Sequence, residues 1–130
     1  MKMDAAIWQA ELANMENRGL LAHPQATEIC NGIGAWWMPK GLRWLITALH
    51  PSMHGAAAIH DMQYWIGGTA GARLDADLAF LRNSCRAALC MYGWWDIRRY
   101  LAFSRALRFF ALLRLFGSSA WCYRGRKEAL

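Results

Sequence analysis

Ile59-His60-Asp61-Met62-Gln63-Tyr64-Trp65-Ile66-Gly67-Gly68, with Leu74-Asp75-Ala76-Asp77-Leu78-Ala79-Phe80 close behind it, is the stretch whose reading decides the fold. Two helical patterns meet here across a glycine turn. The first begins near Ser52 as its cap and carries Met53, Ala57, His60 and Tyr64 along one stripe. Gly67-Gly68 ends it, and Thr69 to Gly71 make the turn. The second runs from about Ala72 to Tyr92, with Leu74, Leu78, Leu81, Cys85 and Leu89 as its apolar stripe. Helices joined by so short a turn pack antiparallel.

The polar residues of this pair are placed unequally. Asp75 and Asp77 are about 200° apart around a helix, so they face different ways. Asp77 falls on the apolar stripe, while Asp75 shares the wet face with Arg82 and Arg86. A carboxylate turned inward needs partners. His60 and Tyr64, one turn apart, are the partners that the first helix offers. Asp77 accepting from one ring nitrogen of His60 would fix its tautomer and leave the other nitrogen as a general base. Asp61 is rotated about 100° from His60 and points toward another element, for which the glycine loop Asn31-Gly32-Ile33-Gly34 is the candidate. A carboxylate with loop carbonyls is a hard oxygen environment, suited to calcium rather than zinc. The plainer reading is that a histidine on an apolar face is a hydrogen-bonded core residue.

Outward from the pair, Asp4 caps a first helix that ends near Gly19, with Ala5, Trp8, Leu12 and Met15 on one face. Periodicity is lost over residues 19–35, where His23-Pro24 and the glycine loop are loop signals. A short helix follows Pro39 and is interrupted by Pro51. On the C-terminal side, Trp94 to Phe116 is helical in pattern, with five arginines among many large apolar residues. Arg98 and Arg105 share a side and Arg114 points roughly opposite, so a buried helix with snorkelling arginines and an interfacial helix are both open. Gly117-Ser118-Ser119 ends it, and Arg124, Arg126 and Lys127 form a basic tail. No strand-like alternation of useful length occurs. The expected fold is all-α: the antiparallel pair, a Gly-rich loop, and additional N- and C-terminal helices.

The chain has 130 residues, which suits one domain over 1–130. Its formal charge is +6, from 15 Lys and Arg against 9 Asp and Glu, and it holds 8 tryptophans. A basic surface suits nucleic acid or membrane, and the tryptophans favour the lipid interface. Cys30, Cys85, Cys90 and Cys122 form no CxxC pair, which argues against structural zinc. The N-terminal segment does not read as a signal peptide, and the thiols suit a reducing cytoplasm. No apolar run is long enough, without a charge, for an ordinary transmembrane helix.

The pattern His60-Asp61-Met62-Gln63-Tyr64, then Asp77, with Asn31-Gly32-Ile33-Gly34 upstream, resembles the phospholipase A2 superfamily. Ala76-Asp77-x-x-Phe80 is similar to the short viral and bacterial forms rather than the disulfide-rich secreted ones. The resemblance covers about residues 30–85, leaving a hydrophobic basic region over 94–130. It implies His60 as general base, Asp77 as the carboxylate that orients it, and Tyr64 as its hydrogen-bonding tyrosine. It implies calcium held by Asp61 and by carbonyls near Cys30, Gly32 and Gly34. The chain departs from the family where a paired cysteine often stands in the loop and another just before the His-Asp pair. Ile33 and Ala57 (or Ala56) occupy those places, and a long insert separates the loop from His60.

The function expected on this resemblance is a calcium-dependent phospholipase A2-like ester hydrolase acting at a phospholipid membrane, to which it is attached peripherally or delivered. Trp36-Trp37 would help seat it there, with core packing as the plain alternative. The competing expectation is a non-catalytic, membrane-associating protein of the same fold. A nucleic-acid partner is not expected, because no binding motif accompanies the charge. His23, His50 and His54 receive no role.

Overall fold

Glycines and short polar side chains set the element boundaries, and the apolar faces between them set the packing. The computed structural model describes residues 15–29 and 53–125. It contains a 3-10 helix, Arg18–Ala22, and a single helical turn α1, Ala26–Ile29. Three longer helices follow: α2, His54–Ile66; α3, Ala70–Met91; and α4, Ile97–Phe116. A second 3-10 helix, Gly117–Ala120, closes the order. No strand occurs among the described residues, so they are helical as expected.

The run Gly55 to Ile59 makes the buried start of α2, with Met53 ahead of it and no side-chain cap. Gly67 stops α2 with φ 75°, a backbone conformation that disfavours a Cβ. Thr69 then caps α3: its Oγ1 accepts from the Ala72 N–H at 3.1 Å. The helix therefore starts two residues before the expected Ala72. Asp96 caps α4 in the same way, accepting from the Arg98 N–H at 3.0 Å. α4 begins at Ile97 rather than Trp94, which leaves Trp94 and Trp95 in the turn.

α3 lies between α2 and α4 and packs on both. Ile59 meets Ala87 while Tyr64, farther along α2, meets Ala76, so α2 and α3 run antiparallel. Met53, just ahead of α2, and Ala56 and Ala57 of α2 join Phe80 of α3, and Phe109 and Leu113 of α4 pack against that group. After α4 the chain returns across the α2–α3 turn. The Trp121 indole N–H donates to Gly68 O at 3.0 Å, and the Gly68 N–H donates to Cys122 O at 2.8 Å.

Two expectations are corrected. The buried face of α3 is not the leucine stripe: Leu74 is 40% and Leu89 49% exposed. Arg73, Ala76, Asp77, Phe80, Asn83, Ser84, Ala87 and Ala88 are buried instead. Small residues let α3 approach a helix on either side, and Asp77 and Asn83 are drawn in by hydrogen-bond partners rather than by apolarity. The first helix, expected from Asp4 to near Gly19, does not reach that point, and its residues 4–14 lie outside the described residues. Met15 is outside regular structure, Asn17 takes a left-handed φ of 61°, and the 3-10 turn follows. The Asn83 amide holds this segment, accepting from Glu16 N–H at 2.8 Å and donating to Glu16 O at 3.2 Å.

The glycine loop at 31–34, Cys30, Trp36-Trp37, the short helix after Pro39, and Arg126 and Lys127 lie outside the described residues. Cys85, Cys90 and Cys122 are free thiols, with Cys90 exposed and the others half-buried.

Candidate active site

His60 and Tyr64 stand one turn apart on α2, with ring centroids 4.2 Å apart. Both face α3, where Asp77 is 0% exposed. Asp77 Oδ1 is 2.9 Å from His60 Nε2 and accepts the Tyr64 hydroxyl at 2.7 Å. Its other oxygen, Oδ2, accepts from Arg114 Nη1 at 2.7 Å. The expected triad of His60, Asp77 and Tyr64 is therefore brought together, and a cation from α4 completes it.

A buried carboxylate is costly unless paired and hydrogen-bonded. Burial acts to raise the proton affinity of Asp77, but the bonds from His60, Tyr64 and Arg114 outweigh it, so its carboxyl lies below the ordinary range. Asp77 is thus an anion and only accepts. The His60 proton accordingly sits on Nε2, and the lone pair falls on Nδ1, for which no described residue is a hydrogen-bond partner. Burial lowers the His60 proton affinity, with Asp77 opposing it, so the imidazole is neutral near pH 7. Burial and the adjacent Asp77 carboxylate push Tyr64 upward, which keeps its hydroxyl a donor.

Two arginines complete the surroundings, and sequence reading found neither role. Arg114 lies on the far side of α4 from Arg98 and Arg105, as the periodicity implies, but its partner is 37 positions away. Arg73 is buried and sits one turn before Asp77. Its guanidinium donates to Leu113 O at 3.1 Å, which also accepts from the Gly117 N–H, and to Arg114 O at 3.3 Å, both at the C-terminal end of α4. An arginine four residues before an inward aspartate was the only available signal. Gly117 packs on the same group: a Cβ there would lie 2.6 Å from Tyr64 Oη and 3.2 Å from Arg73 Nη1.

Asp61 is half-buried on α2, directly after His60. Its carboxylate is the hard oxygen donor that calcium takes, so it fits in kind. The other expected ligands, Cys30, Gly32 and Gly34, lie outside the described residues. Among the described residues, no three of His, Cys, Asp and Glu cluster as a metal site.

The burial of His60 links the site to pH. In the unfolded chain histidine binds a proton below about 6.5, whereas folded His60 resists it. Stability therefore falls as pH drops below that value and levels once the folded form also protonates. Asp77 adds a second loss at lower pH, since its contribution holds above 3.8 and disappears as pH falls through its depressed folded value. Melting temperature should drop between about pH 7 and pH 5, and less steeply in His60→Gln. Equal slopes would show that His60 is not the buried neutral group.

Compared with known proteins, the chain matches no family model, no curated protein and no solved structure.

Proposed function

We propose that the chain is a calcium-dependent, phospholipase A2-like ester hydrolase. The observation that carries this reading is an imidazole held by a buried, three-donor carboxylate, with Nδ1 free of bonds to the described residues. A histidine fixed in this tautomer is equipped as a general base. Its Nδ1 takes a proton from water as the water oxygen bonds to the sn-2 ester carbonyl carbon. The imidazolium is stabilised by Asp77 through Nε2–H. It then returns the proton to the glycerol oxygen as the ester C–O bond breaks, giving a free fatty acid and a lysophospholipid. Tyr64 and Arg114 hold Asp77 in place throughout. Calcium at Asp61, with loop carbonyls near Cys30, Gly32 and Gly34, would neutralise charge on the carbonyl oxygen.

The test is positional. Phospholipid with different acyl chains at the two positions is incubated with the protein and calcium, and the lysophospholipid is analysed by mass spectrometry. Loss of the sn-2 chain alone supports the reading; loss of the sn-1 chain, or no lysophospholipid, contradicts it.

The second reading is a non-catalytic, membrane-associating protein in which the same network is core packing. Its support is that His60 is only 6% exposed. Lipid binding that persists in chelator, without fatty-acid release, distinguishes it from the enzyme.

A further inference from the structure

The inward side of α4 is satisfied. Ala102 and Ala106 are buried, and Phe109 and Leu113 pack on the core. The outward side is not polar, as a surface helix normally requires. Ile97, Leu101, Arg108, Leu112 and Leu115 fall within about 60° of one another around the helix, and all are exposed. In the turn ahead of α4, Trp94 is 74% and Trp95 75% exposed. Of the 13 exposed large apolar side chains in the described residues, those between Trp94 and Tyr123 number 10. Seven of these lie on α4 itself and two in the turn ahead of it, a concentration that marks an interaction surface rather than ordinary scatter.

The charge on this element selects the occupant. Residues 97–125 contain six arginines and no aspartate, glutamate or lysine; Arg98 pairs with Asp96 and Arg114 with Asp77, which leaves Arg99, Arg105, Arg108 and Arg124 as the charge of this region. A second copy would bring the same positive charge against itself. Nucleic acid would answer the arginines but offer nothing to Ile97, Leu112 and Leu115. An anionic bilayer surface answers both, taking aliphatic and indole groups into its boundary while guanidinium heads stay among phosphates. No helix among the described residues is long and apolar enough to cross a membrane. The binding mode is therefore a helix lying in the interface, with indoles at headgroup level.

We infer that the outward face of α4, led by Trp94 and Trp95, docks the protein on anionic phospholipid surfaces. The inference shares the lipid partner of the proposed hydrolase, but it does not need hydrolysis or calcium. Docked in this way, the protein has α4 between the lipid and the His60–Asp77 pair. The end of α4 nearest that pair, at Arg114, is then the part whose outward neighbours Leu115 and Phe116 meet the bilayer.

The test uses vesicles of ether-linked phosphatidylcholine, with or without ether-linked phosphatidylglycerol, in chelator, so that neither an ester nor calcium is present. Co-sedimentation with the phosphatidylglycerol vesicles is expected, with a blue shift of tryptophan emission and weakening by salt. Binding to phosphatidylcholine alone should be weaker by about tenfold or more. Trp94→Ser/Trp95→Ser, and separately Leu112→Ser/Leu115→Ser, should each weaken binding by about tenfold. These side chains are exposed, so a circular dichroism spectrum like that of wild type is expected for both pairs. Unchanged binding in both pairs overturns the inference. So does a dimer in sedimentation equilibrium without vesicle binding, or binding to an RNA duplex in place of vesicles. Release of fatty acid is measured apart, on ester vesicles. Docking without release rejects the hydrolase and leaves the docking face standing.

Discussion

Replacing Gly67 with alanine is expected to remove most of the protein's stability. Gly67 has φ 75° and ψ −158°, a region in which non-glycine residues cost on the order of 1–3 kcal/mol. A Cβ there would also meet the Cys122 backbone, 2.7 Å from its carbonyl carbon and 2.6 Å from its Cβ, and closer still to its carbonyl oxygen. That carbonyl is no loose end, because it accepts from both the Gly68 and Gly125 N–H groups. Relief of the clash requires the returning segment to lift off the α2–α3 turn, which also breaks the Trp121 bond to Gly68 O. Overpacking of this kind adds about 1–3 kcal/mol. The sum is a large part of the stability of a small domain. Thermal unfolding followed by circular dichroism should show a broad, strongly lowered transition. Gly71→Ala is the matching control: it lies in the first turn of α3 with only Thr69 Oγ1 near its Cβ position, at 3.7 Å, and should melt at or above wild type. A Gly67→Ala protein that melts with wild type would contradict the packing of residues 121–125 over the turn.

Asp77→Asn carries the second large effect, and it separates chemistry from folding. An amide has nearly the shape of the carboxylate, so the side chain still fits between α2 and α4. It lacks the negative charge that Arg114 now meets at 2.7 Å and that stabilises an imidazolium at His60. An amide can also present N–H where the carboxylate only accepts, which would turn the His60 tautomer and place the ring proton on Nδ1. In a comparable His–Asp arrangement the same change costs on the order of 10⁴-fold in turnover while geometry survives. Fatty-acid release should fall by about that order here, with a folded circular dichroism spectrum and a modest loss of melting temperature. Activity within a few-fold of wild type would mean that Asp77 serves packing alone.

How much of this was legible in the sequence depends on the range of each interaction. The three long helices follow from local signals, period and the Gly67-Gly68 stop, but the caps at Thr69 and Asp96 set starts that differ from the expected Ala72 and Trp94. The inward placing of His60 and Tyr64 came from their four-residue spacing, and that of Asp77 from its separation from Asp75. Yet that reading rests on the leucine stripe, which is not the buried one: Leu74 and Leu89 are exposed and Leu78, Leu81 and Cys85 half-buried. Alanine and serine make the close contacts of α3, and a count of large apolar residues cannot see them. Arg114 was beyond reach for another reason. Its partner is on a different helix, and local periodicity says which way a side chain points but not what it meets. The outward apolar face of α4 was half legible: the mixed pattern excluded a clean two-faced helix without saying which side lay against α3.

The calcium-dependent release of fatty acid from mixed phospholipid vesicles, compared in wild type and His60→Ala with calcium and with chelator, tests the central proposal most directly. Release that needs calcium and disappears in His60→Ala is the expected result. No release from folded, vesicle-bound wild type, or release that survives His60→Ala, would contradict it.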